Sequence, residues 1–179
     1  YTIGVIVPEI SHFFFSSVID GIEEETNNDG YTILVTKSNE DMKREINNTE
    51  SLISNRVAGV IASITQSTNN GIHFNQIIKR GIPLVFFDRV IDDLEVPKVV
   101  GNDYEMIYKI VTHLINSGYQ HIGYLGGPLN LNISKNRFDG YTKALLDNDI
   151  ELMDGLILNV DLNEEGGFEG VKTIIRQFP

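Results

Sequence analysis

An acid and a base stand side by side at Asp88 and Arg89, directly after the apolar run I-P-L-V-F-F. A carboxylate and a guanidinium so placed can each make bidentate, charge-assisted hydrogen bonds to neighbouring hydroxyls of a sugar. The plainer alternative is a capping aspartate beside a solvated arginine. Phe13, Phe14 and Phe15 are consecutive. At about 100° per helical residue they fan over roughly 200°, wider than the stripe of about 100° that a surface helix buries. At least one ring must therefore look away from the core, either towards a flat ligand or the apolar face of a sugar, or across a loop as ordinary packing. Arg137 is expected to open a helix, where the positive end of the macrodipole disfavours a cation. It therefore calls for a partner: a carboxylate such as Asp88 or Asp139, or a bound ligand. Ser63 offers one hydroxyl at a strand end, and His12 reads as a polar loop residue.

Other chemistries lack their residues. There is no cysteine, and His12, His73, His113 and His121 show no ligand spacing, so no metal site and no thiol nucleophile is expected. Gly123, Gly126 and Gly127, followed by Pro128, do not form G-x-G-x-x-G. No phosphate-binding G-x-x-x-x-G-K-[ST] and no G-x-S-x-G elbow occurs, and no carboxylate pair stands out. Neither a catalytic residue nor a cofactor is expected, which argues against an enzyme. The formal charge of −11, from 14 basic and 25 acidic residues, repels phosphate backbones. Contact with DNA must come from elsewhere. No apolar run approaches the length of a membrane span and no secretion leader is visible; with the missing cysteines, this fits a cytoplasmic protein.

The elements that must position these residues alternate. The run Ile3–Pro8 is short, apolar and β-branched, and reads as a buried parallel strand ended by proline, with Ser11 able to cap the helix that carries Phe15, Val18 and Ile22. Strands are expected next at Tyr31–Thr36, Val57–Ala62, Ile82–Phe87 and Val96–Gly101, and later at His121–Gly126 and Leu156–Val160. Helices are expected after Ser38, where Ser38 and Asp41 resemble a capping box, then up to Gly81, and over Tyr104–Asn116, Ser134–Asn148 and Glu164–Gln177. Such alternation requires parallel sheets with helices on both faces, and ligands of such sheets bind outside the carboxyl ends of the strands. The opening I-G-V-I-V is echoed by I-G-Y-L-G at Ile122, which suggests two lobes, residues 1–101 and 102–179. The second has only two strands, too few to shield its own sheet, so it is expected to be incomplete in this chain.

Five segments in order carry a resemblance: I-G-V-I-V-P-x-I-S-x-x-F-F from Ile3, R-V-A-G-V-I from Arg56, G-I-P-L-V-F-F-D-R from Gly81, H-L-I-N-S-G-Y-x-x-I-G-Y-L-G-G-P from His113, and R-F-D-G-Y-x-x-A-L from Arg137. Together they resemble the effector-binding core of the lactose/galactose-repressor (LacI/GalR) family of bacterial transcription regulators. The resemblance implies two Rossmann-like lobes with parallel sheets of the periplasmic-binding-protein type, hinged to close on a sugar or sugar phosphate, less often a purine. It implies ligand contacts at His12, Phe14, Phe15, Asp88, Arg89 and Arg137, with Phe13 and Ser63 as weaker candidates. It implies a homodimer whose operator DNA is bound through a headpiece not present in this chain, and no membrane partner. The chain departs from the family at His12-Phe13, where Asn-Pro is usual. The alternative within the wider superfamily is a periplasmic sugar-transport receptor.

Overall fold

Val5, Ile6 and Val7 are completely buried, and only a strand with a neighbour on each side and a helix on each face can shield such a run. In the computed structural model, which describes residues 1–11 and 13–178, they belong to β1 (Thr2–Val7). It pairs in parallel with β2 (Thr32–Lys37) on one side and β3 (Gly59–Ala62) on the other, with Val5 opposite Val35 and Ile61. β4 (Leu84–Phe87) and β5 (Lys98–Val99) complete a parallel sheet of order β2-β1-β3-β4-β5. This sheet forms the first of two compact units, Tyr1–Val100.

Side chains alternate across the sheet with the period of two that strands impose. Val5, Val7, Ile61 and Phe87 face α1 (Phe13–Asn28), against Phe15, Val18, Ile19 and Ile22. The opposite face carries α2 (Met42–Ser54) and α3 (Ile72–Lys79), with the Phe74 ring edge-on to Phe86 at 4.9 Å. Gly4 makes room on that face, since a side chain there would collide with Leu52 of α2.

The second unit, Gly101–Pro179, contains α4 (Asp103–Asn116), β6 (Tyr124–Gly126), α5 (Asn132–Asp147), β7 (Ile157–Asn159) and α6 (Glu164–Gln177). Its two strands pair in parallel. Val111, Ile122, Tyr124, Tyr141, Ala144 and Leu145 form its core, and the Tyr141 hydroxyl donates to the Ile122 carbonyl at 2.9 Å. Gly140 lets α4 and α5 approach, because any side chain at 140 would strike the backbone carbonyl of Tyr104.

Both units have the parallel α/β build expected, and α6 has the bounds expected. Several strands are shorter than their apolar runs: only Tyr124–Gly126 of His121–Gly126 finds a partner in β7. The capping box is corrected. Asp41 itself caps α2, its Oδ1 accepting from the amides of Lys43 and Arg44 at 2.7 and 3.3 Å. Ser38 is buried and donates to the Val7 carbonyl at 3.2 Å. Ser11 stands two residues before α1 and donates to Glu9 Oε2.

One polar cluster locks the α2 and α3 face. Glu45, fully buried, accepts from the Thr65 amide at 2.7 Å and the Thr68 hydroxyl at 2.7 Å, and pairs with His73 Nε2 at 2.9 Å. Removing one member of a buried polar network leaves the others unsatisfied. Glu45→Ala is expected to lower stability by about 3 kcal/mol, read from the urea midpoint at unchanged slope.

Candidate ligand site

The carboxyl ends of β1, β2, β3 and β4 release the chain at one edge of the first sheet, and four loops meet there. Arg89 ties them together. It is 7% exposed, and its backbone carbonyl accepts from the Ile64 amide at 3.2 Å in the loop after β3. Its guanidinium lies 5.8 Å from the centroid of the Phe15 ring in α1. Its Nη1 donates to Glu40 Oε1 at 2.7 Å in the loop after β2. Glu40 is fixed in turn, with Oε2 accepting from the Gln66 amide at 2.7 Å and its carbonyl accepting from the Ser67 hydroxyl at 3.0 Å.

Asp88 sits immediately before this arginine with φ +58°, in the left-handed region that most residues avoid. Its amide donates to the Val99 carbonyl at 2.9 Å, which holds the turn at the end of β4. Its Oδ2 lies 3.9 Å from Arg89 Nε, an ion-pair contact too long for a hydrogen bond. The phenylalanine fan resolves as the helical geometry requires. Phe15 packs edge-on to Phe87 at 6.3 Å in the core, Phe14 is half exposed and edge-on to Phe15, and Phe13 is 85% exposed. Ser63 is buried just after β3, and its Oγ has no hydrogen-bond partner among the described residues. His12 lies outside the described residues.

Arg137 belongs to the second unit and corrects two expectations. α5 begins at Asn132, so Arg137 stands in its second turn and does not open the helix. Its partner is a carboxylate of its own unit, Asp103, with Nε donating to Oδ1 at 2.6 Å, where Asp139 was the one expected within that unit. Asp139 instead faces Lys135 at 3.5 Å. Beside Arg137, burial pushes the Tyr124 hydroxyl above its ordinary value while the guanidinium pulls the other way.

The structure thus brings Phe15, Asp88 and Arg89 together, with Phe14 edge-on to Phe15, and adds Glu40, which the sequence reading missed. The signal was present, since Glu40 follows a strand on the same edge. It was hidden because the S-N-E-D run looked like a helix cap. Among the described residues no group of His, Cys, Asp or Glu could hold a metal ion. What the edge offers is a donor fork, a carboxylate and an aromatic ring, the equipment of a binding module for a small polar molecule.

This chain belongs to the family described as periplasmic binding proteins and sugar binding domain of the LacI family, whose sequence model matches residues 1–179. It is similar to the HTH-type transcriptional repressor PurR of Actinobacillus pleuropneumoniae, 27% identical over 98% of this chain and 52% of the relative. The chain spans about half the length of the curated relatives it matches. The crystal structure of the regulator CcpA of Lactococcus lactis shares the fold at TM-score 0.90 and 24% identity, covering 99% of this chain and 65% of that one. A periplasmic binding protein/LacI transcriptional regulator from Alkaliphilus metalliredigens, complexed with D-xylulofuranose, is 29% identical with TM-score 0.75, covering 90% of this chain and 56% of that one.

Two arginine–carboxylate pairs of the same chemistry differ in burial, and burial decides their weight. Arg89→Ala takes the guanidinium from Glu40, whose side chain is 22% exposed, and is expected to cost about 2 kcal/mol in chemical denaturation. Asp103→Asn breaks a pair whose arginine side chain is 43% exposed, and is expected to cost under about 1 kcal/mol.

Proposed function

We propose that this chain is the effector-sensing core of a bacterial transcription repressor, cytoplasmic and dimeric, whose operator contacts lie in a headpiece outside these residues. The effector is a sugar or sugar phosphate. The observation that carries this reading is the Asp88–Arg89 pair beside Phe14 and Phe15 at the carboxyl edge of the sheet. A guanidinium and a carboxylate can grip neighbouring hydroxyls while an aromatic ring covers the apolar face of the ring that bears them. The family's sugar-binding description supports the ligand class, and so does the neighbour holding D-xylulofuranose. The relative named as a repressor favours regulation over transport.

In this reading the effector binds one conformation of the core better than another and shifts the population between them, and the shift reaches DNA through the geometry of the dimer. β2 is an edge strand carrying Leu34 at 37% exposure, and a bare apolar edge invites pairing, so β2 and α1 are placed near the dimer interface.

Calorimetry on the intact protein with a panel of sugars and sugar phosphates is expected to find a ligand. Asp88→Ala is expected to weaken it at least about 30-fold, the size of lost charge-assisted hydrogen bonds. Retained affinity would remove Asp88 from the site. Sedimentation should show a dimer, and a core that stays monomeric at high concentration would refute the placement of α1 and β2.

A further inference from the structure

The positive charge at the candidate site is already matched before any ligand arrives. Arg89 Nη1 is bound to Glu40 Oε1 at 2.7 Å, and Asp88 Oδ2 lies 3.9 Å from Arg89 Nε. Two carboxylates and one guanidinium leave this cluster with a surplus negative charge. The surroundings do not reverse the sign. Among the described residues of the first unit, the charged side chains at a strand's carboxyl end, or within four residues after it, are Glu9, Lys37, Glu40, Asp41, Asp88 and Arg89, four carboxylates against two cations. Nor can Glu40 easily swing away. Its second oxygen takes the Gln66 amide, its carbonyl takes the Ser67 hydroxyl, and both it and Asn39 are held at positive φ, +56° and +52°.

Resting on the sensor reading above, we infer that this site selects an uncharged polyol over the corresponding phosphate or carboxylate, and that Glu40 is the residue that sets this choice. Hydrogen-bond chemistry leads to the same class as the charge count. An ionised Asp88 only accepts, so a ligand group that meets it must donate; a hydroxyl donates to it and accepts from Arg89, whereas a phosphate dianion has no proton to give. The side chains of Glu40, Asp88 and Arg89 are 22%, 18% and 8% exposed, so solvent and salt screen their repulsion of an anion poorly. Glu40 acts through Arg89. It is a positioning and specificity-determining residue.

The test titrates the intact protein by calorimetry with matched probes: D-ribose and D-ribose 5-phosphate, D-glucose and D-glucose 6-phosphate, D-galactose and D-galactose 6-phosphate. The native protein is expected to prefer the neutral member of the pair it binds. Glu40→Gln is expected to move that ratio towards the phosphate by at least about tenfold, the scale of one unit charge a few ångströms away in a partly buried site. Glu40→Asp, which keeps the charge, should keep the preference; a merely structural role for Glu40 would weaken both members alike. A native protein that prefers the phosphate, or a ratio unmoved in Glu40→Gln, overturns the inference and leaves the sensor reading standing. Binding of neither member of any pair brings down the sensor reading, and the inference with it. Should Glu40→Gln fail to fold, the native ratio decides alone.

Discussion

The parallel pairing of β1 with both β2 and β3 is the constraint on which the rest depends. A strand hydrogen-bonded on both sides and covered on both faces must be apolar throughout, as Val5, Ile6 and Val7 are. Parallel neighbours also end at the same edge, so the chain leaves β1, β2, β3 and β4 on one side of the sheet. Phe15, Glu40, Ser63 and Asp88–Arg89 are distant in the chain and are gathered there by strand direction alone. The site follows from the sheet.

Electrostatics then divides the first unit into two polar clusters of different character. Glu45 has no exposed surface, and its hydrogen bonds to Thr65, Thr68 and His73 are internal, so it welds α2 and α3 to the loop after β3. Arg89 and Glu40 lie at the rim, and Asp88 beside them is partly open to solvent. One cluster specifies packing and the other presents groups outward. They share the segment Thr65–Thr68: Glu45 holds its ends while Glu40 takes the Gln66 amide and the Ser67 hydroxyl. Any motion of that segment is therefore felt by both.

The layered α/β build was legible because its signals are local: β-branched runs, helical spacing of Val18 and Ile22, and glycines closing helices. Strand ends were less so, because a ladder stops where its partner stops, and no property of His121–Gly123 announces that β7 starts opposite Tyr124. Asp88, Arg89 and the phenylalanine fan were legible from strand-end position and from the width of the fan. The partner of Arg137 was not. It stands 34 positions away at Asp103, and only the packing of α4 on α5 brings the two together. Glu40 escaped for a similar reason, since its partner Arg89 is 49 positions downstream. The expected lobes, residues 1–101 and 102–179, rested on one repeated motif, and the contacts separate Tyr1–Val100 from Gly101–Pro179.

The torsion at Asp88 narrows which amino acids can stand there. At φ +58° a β-branched or bulky residue is strained, whereas glycine, asparagine and aspartate are tolerated. Glu40 at φ +56° and Arg56 at φ +54° show that unbranched side chains also take this torsion, at a cost that glycine escapes. The tip of β4 is therefore closed above all to valine, isoleucine and threonine, and least strained where the side chain is short and hydrogen-bonding, as aspartate is.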